Sequence, residues 1–365
     1  MKYATLNNYL FDVKFNFNTK ETIHVVLGNR ASDLDSMASA IAYAWFMEKT
    51  GKRKEEVYLP LINIPRRDFK LRTEAVYLFE EADIDLSNLL FVDEVSLEEM
   101  YKSGKLKLIL IDHNKLHQEQ EYFSPCVAQI VDHHTDEGAH SFAAKTIEPV
   151  GSCATLVADR IRREKDFTLD KNVALLLAGT ILLDTVNLAR DAGRTTAKDE
   201  DSTAWLAKQF KIDRDRVFER LQFEKFNTAV LSSHDILRKD YKEWIMNGKK
   251  VGFSSALISL NNWIKKDSKL IDSVEAYYAE NSLDVLFVMI AYADPDFTRE
   301  LVIFSRDEKL LRRLYDHLQQ NGGDLSELKA RAPEDRRAVF CHQGNTGWSR
   351  KKIQPVVEQF FQDAF

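Results

Sequence analysis

Two aspartates, Asp33 and Asp35, follow a short apolar run at 24–27 and precede an apolar stretch with helical spacing at 37–47. This pattern predicts a strand, a loop and a helix. Because such a loop lies at the carboxyl end of its strand, where open α/β sheets bind ligands, both carboxylates are candidate site residues. Carboxylates this close repel each other, and a divalent cation relieves the repulsion. For an isolated pair the commoner alternative is that Asp33 caps the helix.

Further acidic residues and histidines follow apolar runs at 106–111 and 127–131. One more aspartate lies at the end of the apolar, helical run at 172–185. They are Asp112-His113-Asn114, Asp132-His133-His134 and Asp184. Short runs rich in Leu, Ile and Val are typical of buried parallel strands, whose carboxyl ends meet at one edge of a sheet. A lone histidine is usually structural, whereas a His-His pair directly after a strand and beside an aspartate is more often a site.

The side chains at these positions could hold two divalent ions. The candidate ligands are Asp33, Asp35, Asp112, His133 and Asp184. Oxygen-rich ligands suit Mg or Mn, and a shared carboxylate can bridge two ions about 3.5–4 Å apart. Such a site activates a water molecule and stabilises charge on a phosphoryl group. The sequence has no Walker A loop and no GxSxG motif, so we expect metal-assisted hydrolysis of a phosphoester or phosphoanhydride.

The composition narrows the class of protein. The chain has 365 residues, 44% of them hydrophobic and 30% charged, as in a soluble globular protein. Its net charge of −6 argues against a broad basic nucleic-acid surface. Three scattered cysteines and no CxxC pair indicate a reducing compartment without disulfides or structural zinc. No secretory signal or membrane span is evident. We expect a cytoplasmic protein without nucleic-acid or membrane partners, and nothing implies an oligomer.

The order of the predicted elements indicates an α/β protein with two domains. The first, 1–228, is expected to hold a mainly parallel sheet flanked by helices. A hinge at 229–234 leads to a smaller α/β domain at 235–365, and we expect the active site in the cleft between the domains. The second domain ends in the basic segment 349–352, Ser-Arg-Lys-Lys. Solvated surface is the default interpretation of three adjacent cations, and a phosphate clamp is the alternative.

Five motifs in fixed order and spacing resemble those of the DHH phosphoesterase superfamily. They are Asn29-x-x-x-Asp33-x-Asp35-Ser36, Asp112-His113-Asn114, Asp132-His133-His134, Gly151-Ser152-Cys153-Ala154-Thr155 and Leu183-Asp184-Thr185-Val186-Asn187. The Ser-Arg-Lys-Lys segment is similar to the C-terminal domain shared by family II inorganic pyrophosphatases and cytosolic exopolyphosphatases. The resemblance spans about 22–358. Gly28-Asn29, where pyrophosphatases have His, and the segments 62–68 and 235–242 make the chain most similar to exopolyphosphatases and prune proteins.

The resemblance implies a role for each residue of these motifs. The implied metal ligands are Asn29, Asp33, Asp35, Asp112, His133 and Asp184, with Asp112 and Asp184 bridging two Mg or Mn ions. Asn29 takes the first-ligand position, where its neutral amide is a poorer ligand than imidazole. The implied catalytic residues are Asp112, His134 and His113. His134 would bind phosphate or act as an acid, and His113 would lie behind the ligands or near the leaving group. The implied phosphate-binding residues are His134, Lys242, Arg350 and Lys351.

The implied activity is that of an exopolyphosphatase, which removes terminal phosphate from inorganic polyphosphate. The alternatives are an inorganic pyrophosphatase, a hydrolase of short polyphosphates or nucleotides, and a prune-like interaction protein with weak catalysis. Candidate contacts for a longer polyanion are Arg66, Arg67, Arg72, Arg238 and Lys239. Arg30 stands where the family pattern has an acidic residue, and it could contact phosphate or point to solvent.

Overall fold

The computed structural model describes residues 3–51, 53–293, 296–328 and 336–364. The chain divides into two compact units, Met1–Phe226 and Asn227–Phe365. The division falls close to the predicted end of the first domain at 228. Each unit has its own sheet and its own buried apolar cluster.

The first unit holds a five-stranded parallel sheet and the helices around it. Its strands are β1 (Thr22–Leu27), β2 (Glu56–Leu61), β3 (Leu106–Ile111), β4 (Val127–Asp132) and β5 (Ala144–Ile147). Its α-helices are α1 (Leu6–Asn16), α2 (Leu34–Thr50), α3 (Arg66–Phe69), α4 (Thr73–Glu81), α5 (Leu97–Lys102), α6 (Cys153–Arg163), α7 (Lys171–Asp184), α8 (Ala197–Phe210) and α9 (Arg214–Phe226). The prediction of a mainly parallel sheet flanked by helices is confirmed.

The strand order β2-β1-β3-β4-β5 places a topological switch point between β1 and β3. From β1 the chain first adds β2 on one side and then returns to add β3, β4 and β5 on the other. The loops after β1 and β3 therefore diverge, and the crevice that they leave is where open α/β sheets bind ligands. The segments that carry Asp33 and Asp112 follow these two strands directly.

Helix α2 occupies the centre of the first unit, where it packs against β1, β2, β3, α6 and α7. Every residue from Leu34 to Phe46 is buried. This explains why the sequence shows an apolar stretch here with only a weak polar stripe, since a helix covered on all sides needs none. The packing fixes the helix, and hence the loop that enters it, relative to the sheet edge.

The second unit contains a six-stranded sheet with order β10-β11-β9-β8-β7-β6. Its strands are β6 (Tyr241–Met246), β7 (Lys249–Ala256), β8 (Val285–Ala293), β9 (Phe297–Phe304), β10 (Leu325–Glu327) and β11 (Ala338–Gln343). Its α-helices are α10 (Ser233–Lys239), α11 (Leu260–Lys266), α12 (Leu270–Glu280), α13 (Glu308–Gln320) and α14 (Arg350–Ala364). Within the described residues of this second sheet, only the β7–β8 pair is parallel, so the sheet is mixed.

The apolar run at 89–92 has the composition of a buried strand, but the structure has only an isolated parallel bridge between Ile62 and Phe91. Ahead of β1, Leu6–Asn16 forms α1 with Thr5 as its N-cap. Among the described residues, no helix is long and apolar enough to cross a bilayer.

Candidate metal centre

A tight turn carries the chain from β1 into α2. A Cβ atom on Gly28 would lie 2.2 Å from Ser36 Oγ, so the position admits glycine only. The same hydroxyl accepts a hydrogen bond from the Asn29 backbone N–H at 2.7 Å. Asp33 caps α2, because its side chain accepts the Ser36 N–H at 3.1 Å, yet the residue is exposed. The cap and the site interpretations of Asp33 are therefore compatible.

Asp35 lies in the first turn of α2 and is almost completely buried, with 3% of its surface exposed. Its carboxylate accepts hydrogen bonds from the backbone N–H groups of Cys153 at 2.6 Å and Ala154 at 2.9 Å, at the N-terminus of α6. Ser39 Oγ donates a third at 2.9 Å. Despite these donors, burial raises the pKa of Asp35. The carboxylate is held rigidly in a place that disfavours its charge.

Asp112 directly follows β3 in the left-handed conformation, with φ of 63°. One carboxylate oxygen, Oδ2, accepts a hydrogen bond from Asn29 Nδ2 at 2.8 Å. The other, Oδ1, is enclosed and receives no hydrogen bond of good geometry from the described residues. Burial, reinforced by the nearby charge of Asp35, raises the pKa of Asp112 to about 8. An enclosed carboxylate oxygen without a hydrogen-bond donor is suited to bind a cation.

His133 presents its second ring nitrogen to these carboxylates. Its Nδ1 lies 2.8 Å from the Val150 carbonyl oxygen, to which it donates. Its Nε2 lies 3.2 Å from Asp112 Oδ1 and 3.8 Å from Asp35 Oδ2. Burial lowers the pKa of His133, but the contact with Asp112 and the charge of Asp35 outweigh it and raise that pKa to about 10. In the neutral ring a lone pair would face the carboxylates, so the geometry demands a proton or a metal ion at Nε2.

Asp184 ends α7 on the same cavity. Its Oδ2 is enclosed and has no hydrogen-bond partner among the described residues. Burial, followed by the charges of Asp35 and Asp33, raises its pKa well above the ordinary value. The next turn is strained, since Val186, Asn187 and Leu188 all have left-handed φ angles between 53° and 64°.

His134 is oriented by the aspartate that precedes the His-His pair. Its Nδ1 lies 2.8 Å from Asp132 Oδ1 and 3.7 Å from Asp112 Oδ1. Asp132 also accepts the backbone N–H groups of His133 and His134 and an amide N–H of Asn114. Burial raises the pKa of Asp132, but the hydrogen bonds from His134 and Asn114 outweigh it and lower that pKa. Asp132 is therefore an ionised anchor, and Nε2 of the exposed His134 ring remains available.

These side chains line one cavity of about 670 Å³ in the first unit. The residues that line it include Asn29, Asp33, Asp35, Asp112, His133, His134, Asp184 and Arg194. Donor atoms of Asp112, His133 and His134 lie within 4.8 Å of one another and could hold a metal ion. A divalent cation fits this cavity for three reasons. Asp112 and Asp184 each have an enclosed oxygen that receives no hydrogen bond of good geometry, and three carboxyl pKa values are raised. The Nε2 atom of His133 also faces these carboxylates.

Family models match most of the chain. Residues 24–181 match the N-terminal domain of the DHH family, and residues 219–360 match the DHHA2 domain. "Exopolyphosphatase PRUNE1" of Rattus norvegicus is 34% identical, with 97% of this chain and 79% of the relative covered. The chain belongs to the DHH family. The resemblance inferred from the five motifs is confirmed.

Two other DHH-family relatives extend the comparison. "Putative exopolyphosphatase" of Schizosaccharomyces pombe is 31% identical, with 91% of this chain and 89% of the relative covered. "Probable manganese-dependent inorganic pyrophosphatase" of Oceanobacillus iheyensis is 24% identical, with 73% of this chain and 81% of the relative covered.

Asn29 and His113 lie where the DHH-family motifs place them, but both have protein partners. Asn29 Nδ2 donates to Asp112, and its Oδ1 accepts the Ser32 N–H at 3.0 Å. Asn29 thus orients Asp112, and its amide oxygen is held by the turn before α2. His113 Nδ1 lies 2.9 Å from the Ile111 carbonyl oxygen, burial lowers its pKa, and it is not among the described residues that line the cavity.

The three cations singled out in the DHHA2 region lie in the second unit. Arg350 begins α14 and donates to the backbone oxygen of Asp240 at 3.1 Å and to its carboxylate at 2.8 Å. Lys242 is exposed on β6, two residues after Asp240, and Lys351 is exposed on α14. Arg350 is therefore held against the segment that leads into β6, the strand that carries Lys242.

Several residues that support the site were missed from the sequence. Asp132, Asn114 and Asp199 were not recognised as anchors. Asp199 accepts the Gly151 N–H, the Thr155 hydroxyl and the Thr196 N–H, and so it ties α8 to the loop before α6. Arg72 Nε and Nη2 donate to the Ala31 and Ser32 carbonyl oxygens of the turn before α2. Only the Thr-x-x-Asp capping box at Thr196–Asp199 left a signal in the sequence.

Proposed function

We propose that this DHH-family protein is a metal-dependent phosphoanhydride hydrolase and, more narrowly, an exopolyphosphatase that removes terminal phosphate from inorganic polyphosphate. The observation that carries the proposal is the set of buried carboxyl groups facing His133 Nε2, with one enclosed oxygen each of Asp112 and Asp184 that receives no hydrogen bond of good geometry. Without a cation this arrangement destabilises the fold. The relatives named exopolyphosphatase support the narrower substrate.

The residues proposed to hold two Mg or Mn ions are Asp33, Asp35, Asp112, His133 and Asp184. Asp112 and Asp184 are proposed as shared ligands because each has an enclosed oxygen that receives no hydrogen bond of good geometry. The relative named as manganese-dependent supports a divalent ion. When bound, the ions would lower the pKa of a water molecule and neutralise the phosphoryl oxygens. Asn29 is proposed to orient Asp112 through its amide N–H groups, and the second lone pair of its amide oxygen is available to a metal ion.

His134 is proposed to bind phosphate and to exchange a proton with it. The ionised Asp132 holds Nδ1 and so fixes the ring, while the side chain remains 58% exposed at the cavity. An imidazole with one nitrogen on a carboxylate can present a proton on the other nitrogen to a substrate phosphate. A leaving phosphate oxygen could accept that proton. His113, whose pKa is lowered by burial, is proposed to support β3 rather than to donate a proton.

The second unit is proposed to bind substrate phosphate through Lys242, Arg350 and Lys351. Two of these cations lie in the first turn of α14, where the helix dipole disfavours positive charge. An anion at this helix end would relieve that cost and use the exposed N–H groups. Arg350 is already oriented by Asp240, so its side chain loses little freedom on binding. We further propose a cytoplasmic location and no nucleic-acid or membrane partner.

Phosphate release from purified protein with Mn²⁺ tests the proposal, with long-chain polyphosphate, tripolyphosphate and pyrophosphate compared at equal phosphoanhydride concentration. We expect rapid release from the polymers and slow release from pyrophosphate. Asp112→Ala should abolish release and leave the circular dichroism spectrum unchanged. Release mainly from pyrophosphate would identify a pyrophosphatase. Absence of release from all three substrates would favour an interaction protein.

A further inference from the structure

The cavity that holds the carboxylates also contains an arginine. Arg194 follows Gly193 in the loop between α7 and α8, and it lines the cavity together with Thr195 and Thr196. No other Lys or Arg lines this cavity among the described residues. The motifs that pointed to the site include neither this loop nor this residue.

The backbone of Arg194 is fixed from three sides. Thr196 caps α8 through a capping box with Asp199. Thr195 Oγ1 lies 3.3 Å from the carbonyl oxygens of both Thr185 and Ala189. A Cβ atom on Gly151 would lie 2.5 Å from the Arg194 carbonyl oxygen, so the loop lies directly against the chain that precedes α6. The rigid backbone limits where the guanidinium can reach, which is the condition for a built binding group.

The guanidinium differs from its neighbours in having no carboxylate. Arg190, four residues earlier, makes two 2.7 Å hydrogen bonds to Glu200. Lys198, four residues later, pairs with Glu148 and Asp159. For Arg194 the structure shows no hydrogen bond or ion pair within the described ranges, and the residue is exposed. Arg190 and Lys198 are neutralised by carboxylates, whereas Arg194 lines the cavity without a paired carboxylate.

The charge balance of the cavity favours a positively charged side chain such as that of Arg194. Its aspartates, Asp33, Asp35, Asp112 and Asp184, contribute up to four negative charges. Two divalent ions would neutralise these four charges and leave none for the substrate. A phosphoanhydride adds further negative charge, and a planar guanidinium matches two phosphoryl oxygens at once. Carboxylates held by divalent ions no longer compete for the arginine.

We propose that Arg194 is a substrate-binding residue that contacts a phosphoryl group inside the cavity of the first unit. The inference rests on the proposed function and adds a cation from the first unit to those proposed for the second. A residue of this kind lowers the KM of a phosphoanhydride without contributing to metal binding.

The test compares Arg194→Gln with Arg190→Gln, which removes an arginine of the same loop that is committed to Glu200. Phosphate release from tripolyphosphate is measured with saturating Mn²⁺, and Mn²⁺ binding is measured separately by calorimetry. We expect Arg194→Gln to raise KM roughly 10- to 100-fold, as for loss of a charged hydrogen bond, with Mn²⁺ affinity unchanged. Arg190→Gln should match the wild type. Arg194→Lys should recover part of the loss because it keeps the charge and loses the planar fork.

The outcomes separate this inference from the proposed function. An active wild type with an unchanged KM in Arg194→Gln overturns the inference alone. Equal losses of Mn²⁺ affinity and substrate affinity also overturn it, because they indicate a role in shaping the metal loop. If the wild type releases no phosphate, the proposed function fails. Binding of inorganic phosphate to the Mn²⁺-loaded proteins then decides the inference: about tenfold weaker binding by Arg194→Gln supports it, and equal binding overturns it.

Discussion

Replacing Asp112 with Asn should stabilise the metal-free protein while removing its response to metal. The pKa of Asp112 rises from 3.8 to about 8 in the folded protein. At pH 7 the folded carboxyl must therefore take up a proton that the unfolded chain releases, at about 1.4 kcal/mol per pH unit, or about 4 kcal/mol in total. Asn mimics the protonated form without this cost, and it suits the left-handed backbone at this position.

The pH dependence of this difference follows from the sign of the shift. Because the folded-state pKa lies above the unfolded-state value, the contribution of Asp112 to the stability of the wild type is fully present only below about pH 4. This contribution is lost as the pH rises to about 8, so the advantage of Asp112→Asn grows across this range. For a unit of this size, 4 kcal/mol corresponds to an increase of about 8–16 °C in Tm at pH 7.

Thermal unfolding of metal-free protein, followed by circular dichroism between pH 4 and pH 8, measures this difference. Asp132→Asn is the matched control, since the same chemical change removes a carboxylate whose pKa is lowered. It should lower the Tm throughout this range, because the stability that Asp132 contributes is lost only when the pH falls through its folded-state pKa, which lies below 3.8. Adding Mn²⁺ should raise the Tm of the wild type and change that of Asp112→Asn little. A metal-free Asp112→Asn protein no more stable than the wild type at pH 8 would refute the reasoning.

Three further substitutions test other parts of the site. Gly151→Ala should lower stability by roughly 1–3 kcal/mol in thermal unfolding, because its Cβ would lie 2.5 Å from both Arg194 O and Thr185 Cγ2, and an unchanged Tm would contradict the close packing. Arg350→Met should raise the KM for tripolyphosphate about tenfold or more, whereas Arg306→Met, which removes a surface pair with Glu275, should leave it unchanged. Asn29→His should tighten Mn²⁺ binding about tenfold or more in calorimetry by adding an imidazole ligand, and it should raise pyrophosphate hydrolysis. Weaker Mn²⁺ binding would show that Asn29 acts through Asp112 alone.

The parallel sheet and the residues at its carboxyl edge could be predicted because the apolar runs are short and local. The runs before Asp112 and His133 form β3 and β4 as expected, and the strand-to-helix pattern around Asp33 is present. The apolar run at 89–92 has a similar composition but makes only one bridge, because the chain there turns away after Phe91. Composition alone does not distinguish a paired strand from a buried extended segment.

The support of the site could not be predicted because it depends on contacts between distant parts of the chain. Arg72 lies about forty residues from the turn that it holds, and Asp199 contacts Gly151 from a different helix. The sequence places Asn29 at a ligand position, and only the structure shows that both its amide nitrogen and its amide oxygen make hydrogen bonds. Arg194 has no pattern around it, and its environment becomes visible only when the loop is placed against the cavity.

The most direct test of the proposed metal-dependent hydrolysis is a titration of metal-free protein with Mn²⁺ while phosphate release from tripolyphosphate is recorded. We expect no release before metal is added and a saturable increase as the carboxylates and His133 bind Mn²⁺. Asp112→Asn should remain inactive throughout the titration. Release by the metal-free protein, or none at any Mn²⁺ concentration, would contradict the assignment of this cavity as a hydrolytic metal centre.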